Sequence, residues 1–264
     1  NKIAKLQTQG KLSYLTLNNL TLTNELFGEV SDDMGKLVEM NYHKADTWKA
    51  KIGTLAEDDI DKFVPDAYQG EKPEDRLQNY ADDMARKIRI SYPTQVLNKN
   101  LDDNIIKLTS ADGVSLNKPV KQFLTNALAI DSRFVPGRKA LGKFINDNKD
   151  ELLAGTSASD EEEHLIEEVK TLQRLYQITP DDESLNIIHR LGIRSAQDVV
   201  RFEEEEFIRY YVANDKLTLA QALMIFKKAR QVSDVTFNFF GEVKSANSTL
   251  QLSAVSPSTA EIEE

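Results

Sequence analysis

Residues 137–143, with the sequence GRKALGK, are the part of the chain most similar to a nucleotide-binding motif. They match most of a phosphate-binding loop, in which the amides of a glycine-rich turn hold phosphates and a following Ser or Thr hydroxyl binds magnesium. Phe144 occupies the position of that hydroxyl, and Leu141 and Phe144 fit one face of a helix. Because residues 134–136 also do not form a buried-strand pattern, the sequence favours a helix here over a nucleotide site.

Glu161 and His164 have the Glu-x-x-His spacing of di-iron helix bundles. Such a site needs this pair twice, together with two further inward-facing glutamates. The chain has three histidines, and neither His43 nor His189 has a glutamate three residues before it. We therefore interpret this stretch as the acidic start of a solvated helix and expect no metal ligands. A metal- or nucleotide-dependent enzyme that uses His164 or Lys143 is kept as an alternative.

Asn146, Asn148 and Asp150 alternate like the first ligands of a calcium-binding loop. Such a loop needs glycine at its sixth position and glutamate at its twelfth. Glu151 stands at the sixth position, and the twelfth is not a glutamate. The sequence thus contains no complete catalytic or metal-binding constellation, and we predict a protein without catalytic residues, cofactor or enzymatic activity.

Residues 185–211, LNIIHRLGIRSAQDVVRFEEEEFIRYY, resemble a helix-hairpin-helix unit. In DNA-binding versions the hairpin amides and nearby basic residues contact phosphates, and Arg190 and Arg194 could do so here. The four glutamates at 203–206 would face or flank the same phosphates and lower the affinity. The same unit also serves in protein–protein interaction, which fits an acidic chain better. Binding of nucleic acid is kept as the alternative.

Composition narrows the class of protein further. The 264 residues include 43 acidic and 33 basic side chains, a net charge of -10, and no cysteine. The absence of cysteine excludes disulfides, thiolate zinc sites and cysteine nucleophiles. The acidic balance disfavours nucleic acid and anionic lipid as partners. No apolar run approaches the ~20 residues of a membrane span, and the chain start, without methionine or signal peptide, suggests a mature or excised piece of a larger protein.

Apolar residues recur every three or four positions along much of the chain, which predicts an all-α fold. Helices are expected before Tyr92-Pro93, from about Pro119, from about Arg138 and after Asp160. Caps and stops mark the last third of the chain: Thr179 as an N-cap before Pro180, Gly192 as a helix end, and capping-box spacing in Ser195 with Asp198 and in Thr218 with Gln221.

The predicted domains are an N-terminal helical region (1–155), a C-terminal helical domain with the hairpin-like unit (156–244) and a linker or tail (245–264). Residues 15–22 fit either a short helix or a strand, and residues 249–255 could form a short strand. Phe237, Phe239 and Phe240 end the last helix. We expect these three rings to pack in the core or against a further domain.

Several stretches resemble, in the same order, parts of the A component of bacterial insecticidal toxin complexes (Tc toxins). They cover most of residues 75–240. The stretches are Leu77–Leu97, Pro119–Leu124, Leu172–Pro180, Leu185–Tyr211 and Leu217–Ala229, with a fainter similarity at Val38–Ile52.

This resemblance implies a section of the helical shell, or of the region next to the stalk, of a very large secreted bacterial virulence protein. Such proteins form pentamers, bind host cells and deliver a separate toxic enzyme through a channel. The expected partners are therefore other domains of the same protein, its homo-oligomer and, through the parent protein, a host cell surface. The family has no catalytic residues to transfer to these stretches. Channel-forming helices and receptor-binding domains do not occur here, so the chain alone should neither form a pore nor contact a membrane.

Overall fold

The described part of the chain is built from α-helices. The computed structural model describes residues 2–56, 59–110, 113–132, 134–135, 141–156, 162–213 and 216–247. These ranges contain fifteen helices, and their β-structure is one isolated antiparallel bridge between Thr109 and Ser115. The predicted all-α fold class is confirmed.

Seven helices come before residue 103. They are α1 (Lys2–Leu15), α2 (Leu20–Val30), α3 (Lys36–Glu39), α4 (Ala45–Ala56), α5 (Ile60–Phe63), α6 (Pro73–Ser91) and α7 (Pro93–Asp102). Residues 15–22, which fitted a helix or a strand, form the end of α1, a turn and the start of α2. Asn19 caps α2 by accepting a hydrogen bond from the Leu22 amide at 3.0 Å.

Eight helices follow. They are α8 (Asn117–Ile130), α9 (Leu141–Asp147), α10 (Lys149–Leu153), α11 (Glu162–Ile178), α12 (Asp182–Arg190), α13 (Ala196–Val200), α14 (Glu204–Val212) and α15 (Leu219–Asn247). The predicted helix start near Arg138 lies outside the described residues, and α9 is described from Leu141.

Several boundaries follow the local signals in the sequence. The helix α6 ends before Tyr92, and Pro93 begins α7, where its missing amide hydrogen is not needed. Gly192 lies at a φ of 85° after α12, a conformation that costs glycine little. Thr218 and Gln221 form a reciprocal capping box before α15, at 2.9 and 3.2 Å.

The predicted N-cap at Thr179 is wrong. The helix α12 begins two residues later, where Asp181 accepts a hydrogen bond from the Ser184 amide at 2.8 Å. The Thr179 hydroxyl instead donates back to Leu175 at the end of α11, at 2.8 Å. Tertiary contacts of Thr179 with another helix account for this difference, as described below. Ser195 is the N-cap residue of α13, as its spacing with Asp198 predicts, but its side chain makes no cap hydrogen bond. The Asp198 carboxylate instead accepts from the Ser195 hydroxyl and from the Arg194 amide, each at 3.0 Å.

Two hydrophobic cores meet within α7. The N-terminal core extends from Leu12 to Val96 and surrounds Trp48 and Tyr80. The C-terminal core extends from Leu97 to Ala229. Val96 and Leu97, which are successive residues of α7, therefore belong to different cores. Both halves of the chain thus pack against this one helix. The predicted boundary at 155/156 falls within the C-terminal core. The division of the chain into domains remains a prediction.

The helix α15 is buried in its first half and exposed in its second. Ala222, Ile225 and Ala229 are fully buried against the C-terminal core. Further along, four large apolar side chains are 64–73% exposed: Val235, Phe237, Phe239 and Phe240. The expected packing of these rings in the core does not occur in the described part of the chain. The tail 248–264, with its predicted strand, lies outside the described residues.

Candidate functional site

A polar cleft lies where the two halves meet. Its volume is about 920 Å³, within the range typical of ligand sites. Its walls come from both halves of the chain: the turn before α4, the last turns of α6, α7, the start of α12 and the first turn of α15. A second depression of about 1080 Å³ lies beside α1 and α6 and is lined mainly by Tyr14, Ile88, Ile90 and other apolar groups. The polar cleft is the better candidate because buried polar side chains converge on it.

Arg89 forms the ionic centre of this cleft. It is 5% exposed, and its Nε donates to the Asp182 carboxylate at 2.7 Å. Its Nη1 donates to the Thr179 carbonyl at 2.9 Å, and its Nη2 donates to the Thr179 hydroxyl at 3.2 Å. An uncompensated charge at this depth would cost several kcal/mol. Arg89 is instead compensated by one charge and by two acceptors, all from the other half of the chain.

Tyr176 completes the surroundings of Arg89. The guanidinium lies 3.8 Å from the centre of the Tyr176 ring, a cation–π contact. The Tyr176 hydroxyl donates to the Arg89 carbonyl at 2.8 Å. Burial raises the pKa of Tyr176, so this hydroxyl keeps its proton. Residues of α6, α11 and α12, with Thr179 from the turn between α11 and α12, therefore form a closed network, which we call the Arg89 hub (Arg89, Tyr176, Thr179 and Asp182).

His43 and Asn100 lie on the floor of the same cleft and have no such partners. His43 is 5% exposed and Asn100 is fully buried. Within the described chain, neither the ring nitrogens of His43 nor the amide atoms of Asn100 make a hydrogen bond of good geometry, and all four atoms are covered by the surrounding residues. Asn100 lies close enough to His43 to act on its pKa as a hydrogen-bond partner, and this contact tends to raise that pKa. Burial lowers the pKa of His43, against the opposing charge of Asp182.

Carboxylates dominate the charged lining of the cleft. Six of them face four basic side chains: Asp46, Asp82, Asp83, Asp181, Asp182 and Glu183 against Lys44, Arg86, Arg89 and Lys107. Two of the basic groups are in ion pairs inside the cleft, Arg89 with Asp182 and Arg86 with Asp83. Asp82, Asp181 and Glu183 have no salt bridge to any other described residue.

The structure does not bring the residues considered for nucleotide or metal binding together in one site. Lys143 and His164 are both exposed, on α9 and α11. Phe144 stacks on Phe134 at 4.8 Å between ring centres, which places its ring in the core. Residues 136–140 and Glu161 lie outside the described residues. In the ranges that are described, no three acidic or histidine side chains are arranged to hold a metal ion.

The hairpin residues have a different role from the phosphate contacts considered for them. Arg194 lies 2.6 Å from Nε2 of the buried His189 and 3.7 Å from Glu168. The same His189 Nε2 lies 2.7 Å from the Glu168 carboxylate, so this nitrogen donates to Glu168 in one tautomer and accepts from Arg194 in the other. Burial raises the pKa of Glu168, but the hydrogen bond from His189 and the charge of Arg194 outweigh it and lower this pKa. Arg194 is thus directed at a carboxylate, while Arg190 is exposed.

Of the residues in the Arg89 hub, Arg89 itself could have been recognised from the sequence as a buried charge. The buried face of α6 repeats at Ala81, Ala85 and Arg89, each four residues apart. A charged residue in register with an apolar face is a candidate for a buried ion pair. Its partner Asp182 is 93 residues away in the sequence, and no local pattern indicates it. His43 and Asn100 had no signal, because their position depends on how α7 packs against the turn before α4.

Comparison with known proteins gives no relative. No protein-family model, curated protein or solved structure matches this chain. Among the described helices, none combines the length and the apolar composition needed to span a membrane.

Proposed function

We propose that this chain is a non-enzymatic structural and interaction segment of a large secreted bacterial toxin of the Tc A-component type. The observation that carries the proposal is the exposed second half of α15, with Phe237, Phe239 and Phe240 each at least 64% exposed. Several large apolar side chains exposed on two successive turns of one helix are typical of a segment that contacts another protein surface. On this proposal the aromatic end of α15 packs against other domains of the same protein or against a neighbouring subunit.

The Arg89 hub supports a structural role for the rest of the chain. It joins the two cores through buried, directional contacts that come from three helices. A helical body braced in this way holds its surfaces in a fixed relation, which a segment of a shell needs. The ordered resemblance of residues 75–240 to the toxin A component supplies the family, the secreted location and the oligomeric parent protein, all of which belong to the proposal.

The native mass and a negative-stain image of the full-length parent protein test this proposal. We expect a very large symmetric oligomer of bell or syringe shape. A monomer or dimer of ordinary size would overturn the toxin-subunit assignment. Catalytic turnover by the purified chain would overturn the non-enzymatic part, as would a thermal shift with ATP or a stoichiometric metal in untagged protein.

Binding of nucleic acid is the less favoured function. Arg194 is directed at Glu168, and Glu204, Glu205 and Glu206 occupy the first turn of α14. Both features work against phosphate contacts by the hairpin. Titration with double-stranded DNA and with RNA at low salt tests this alternative. Salt-dependent binding that is lost when Arg190 and Arg194 are changed to Glu would favour it over the scaffold.

A further inference from the structure

The helix α1 has two apolar faces, and the described chain covers only one of them. Thr8, Leu12 and Leu15 are buried, and the two leucines belong to the N-terminal core. Leu6 and Tyr14 lie on the opposite side of the helix and are 68% and 75% exposed. A surface helix normally presents polar groups on the side away from the core. A second apolar face therefore indicates a second packing surface.

The exposed face of α1 forms one wall of a groove. The groove is the depression of about 1080 Å³ beside α1 and α6, which we call the α1–α6 groove. The helix α1 contributes Gly10 and Tyr14 to it, and the end of α6 contributes Ile90, which is 66% exposed. Leu15 and Ile88 also line the groove and are buried. Exposed apolar side chains around an apolar recess mark a surface on which a partner packs.

The spacing along α1 suits the groove to a helix. Leu6, Gly10 and Tyr14 follow one another at four-residue steps, and helices pack by fitting such rows into the grooves of a neighbour. A Cβ placed on Gly10 would meet no other atom within 4 Å, so a neighbouring backbone can approach closely there. The helix α1 lines the groove from Gln7 to Leu15, a length of about 12 Å, which is about two turns of a bound helix.

The charged groups of the groove are basic. Lys11 and Lys87 line it, and no carboxylate of the described chain does. Lys87 pairs with Asp83 at 2.7 Å, whereas Lys11 is exposed and has no salt bridge with another described residue. The helix α1 also carries Lys2 and Lys5 and no acidic residue. A basic surface of this kind, on a chain with a net charge of -10, selects a partner with negative charge.

From these features we propose that the α1–α6 groove binds an acidic amphipathic helix of a separate protein. The apolar residues of this helix, at three- and four-residue steps, pack on Leu6, Tyr14 and Ile90. Asp or Glu beside them pairs with Lys11, and Gly10 is the point of closest approach. This inference rests on the groove alone and does not depend on the toxin-subunit assignment.

The C-terminal residues of this chain and a lipid surface fit the groove less well. Residues 248–264 contain three glutamates and neither Lys nor Arg, but Pro257 separates these glutamates from Leu250, Leu252 and Val255. Because proline interrupts a helix, this sequence does not provide one helix that carries both the apolar and the acidic residues. A bilayer surface does not enter a recess, and anionic lipid repels a chain of net charge -10.

Titration of the whole chain into a labelled acidic helix tests the proposal. The probe is the fluorescein-labelled peptide ELAELLEELAELLE-amide, and its counterpart has lysine in place of every glutamate. Fluorescence anisotropy measures the binding of both. We expect the glutamate peptide to bind at least ~10-fold more tightly than the lysine peptide. No binding of the glutamate peptide up to about 0.5 mM protein would overturn the proposal, and so would equal binding of the two peptides.

Two glycine variants provide a matched pair. A Cβ on Gly10 or on Gly53 meets nothing within 4 Å, and both glycines lie within helices, where glutamine is the better helix former. Gly10 lines the groove, whereas Gly53 on α4 does not. We expect Gly10→Gln to bind the glutamate peptide at least ~10-fold more weakly, because its side chain fills the point of closest approach. We expect Gly53→Gln to bind like the unchanged chain, and equal affinities of the two variants would overturn the assigned place of contact.

Lys11→Glu tests the charge of the groove. We expect it to weaken binding of the glutamate peptide and to strengthen binding of the lysine peptide. An unchanged preference between the two peptides would overturn the role of Lys11.

Three controls distinguish a separate protein from other occupants. A peptide of residues 248–264 that displaces the probe as well as the unlabelled glutamate peptide does would assign the groove to the C-terminal residues. A dimer in sedimentation velocity that Gly10→Gln dissociates would assign it to a second copy of the chain. Phosphatidylserine vesicles that bind the unchanged chain but not Gly10→Gln would assign it to a membrane. Each of these results would overturn the proposed partner.

Discussion

The Arg89 hub and the His43–Asn100 pair lie in one cleft but differ in how their polar atoms are satisfied. Arg89 donates to Asp182 and to the carbonyl and hydroxyl of Thr179, and it stacks on Tyr176. The four polar atoms of the pair, by contrast, make no hydrogen bond of good geometry in the described structure. A buried charge without a partner is too costly to retain, so Arg89 must be satisfied by the fold itself. Neutral groups cost less when they are poorly satisfied, so a fold can retain them without a countercharge.

The largest effect is expected when the hub is broken. Asp182→Ala leaves the Arg89 guanidinium buried without its countercharge, and we expect it to lower the free energy of unfolding by about 3–5 kcal/mol. Urea denaturation followed by circular dichroism measures this loss. Asp103→Ala is the control, because Asp103 pairs with Lys99 at the surface and such pairs contribute about 0–1 kcal/mol. Equal losses in the two variants would show that the hub does not hold the halves together.

How far the sequence predicts this arrangement depends on the range of the interactions. The helical periodicity and the proline at Pro93 act within a few residues, and both predictions hold. The N-cap at Thr179 failed because Arg89, 90 residues away, takes the Thr179 hydroxyl and carbonyl as acceptors. The cleft could not be predicted from the sequence for the same reason, because it forms only once α6, α7 and α12 have packed together.

Lowering the pH should weaken one wall of the cleft. Burial tends to raise the pKa of Asp83, but hydrogen bonds from Lys87, Tyr68 and Arg86 outweigh it and lower this pKa from 3.8 to about 2. Because the folded-state pKa is the lower one, Asp83 stabilises the fold above pH 3.8, and this contribution is lost as the pH falls to 2. We expect a loss of about 1–2 kcal/mol, allowing for screening by solvent.

Unfolding in urea at several pH values between 2 and 5 measures that contribution. Asp83→Asn cannot ionise, so its stability should change less over this range than that of the unchanged chain. Parallel pH profiles for the two proteins would contradict the prediction.

The opposite sign of effect is expected on the floor of the cleft. Asn100→Leu replaces two unpaired polar atoms by apolar atoms of similar shape, and such a replacement is neutral or stabilising. We expect a gain of about 1 kcal/mol in the free energy of unfolding, measured by urea denaturation. A loss of stability of more than about 1 kcal/mol would show that Asn100 is satisfied in the folded chain, and the contrast with Arg89 would fail.

The smallest effect on stability is expected at the exposed end of α15, where apolar groups, rather than polar ones, lack partners in the described structure. Phe237 is 73% exposed, so Phe237→Ala should change the free energy of unfolding by no more than about 0.5 kcal/mol. Phe226→Ala is the matched control on the same helix, because Phe226 is 5% exposed in the C-terminal core and its truncation should cost about 3–5 kcal/mol. Urea denaturation compares the two variants. A large loss from Phe237→Ala would mean that the ring packs within the chain, and the interaction surface proposed on α15 would then have to be abandoned.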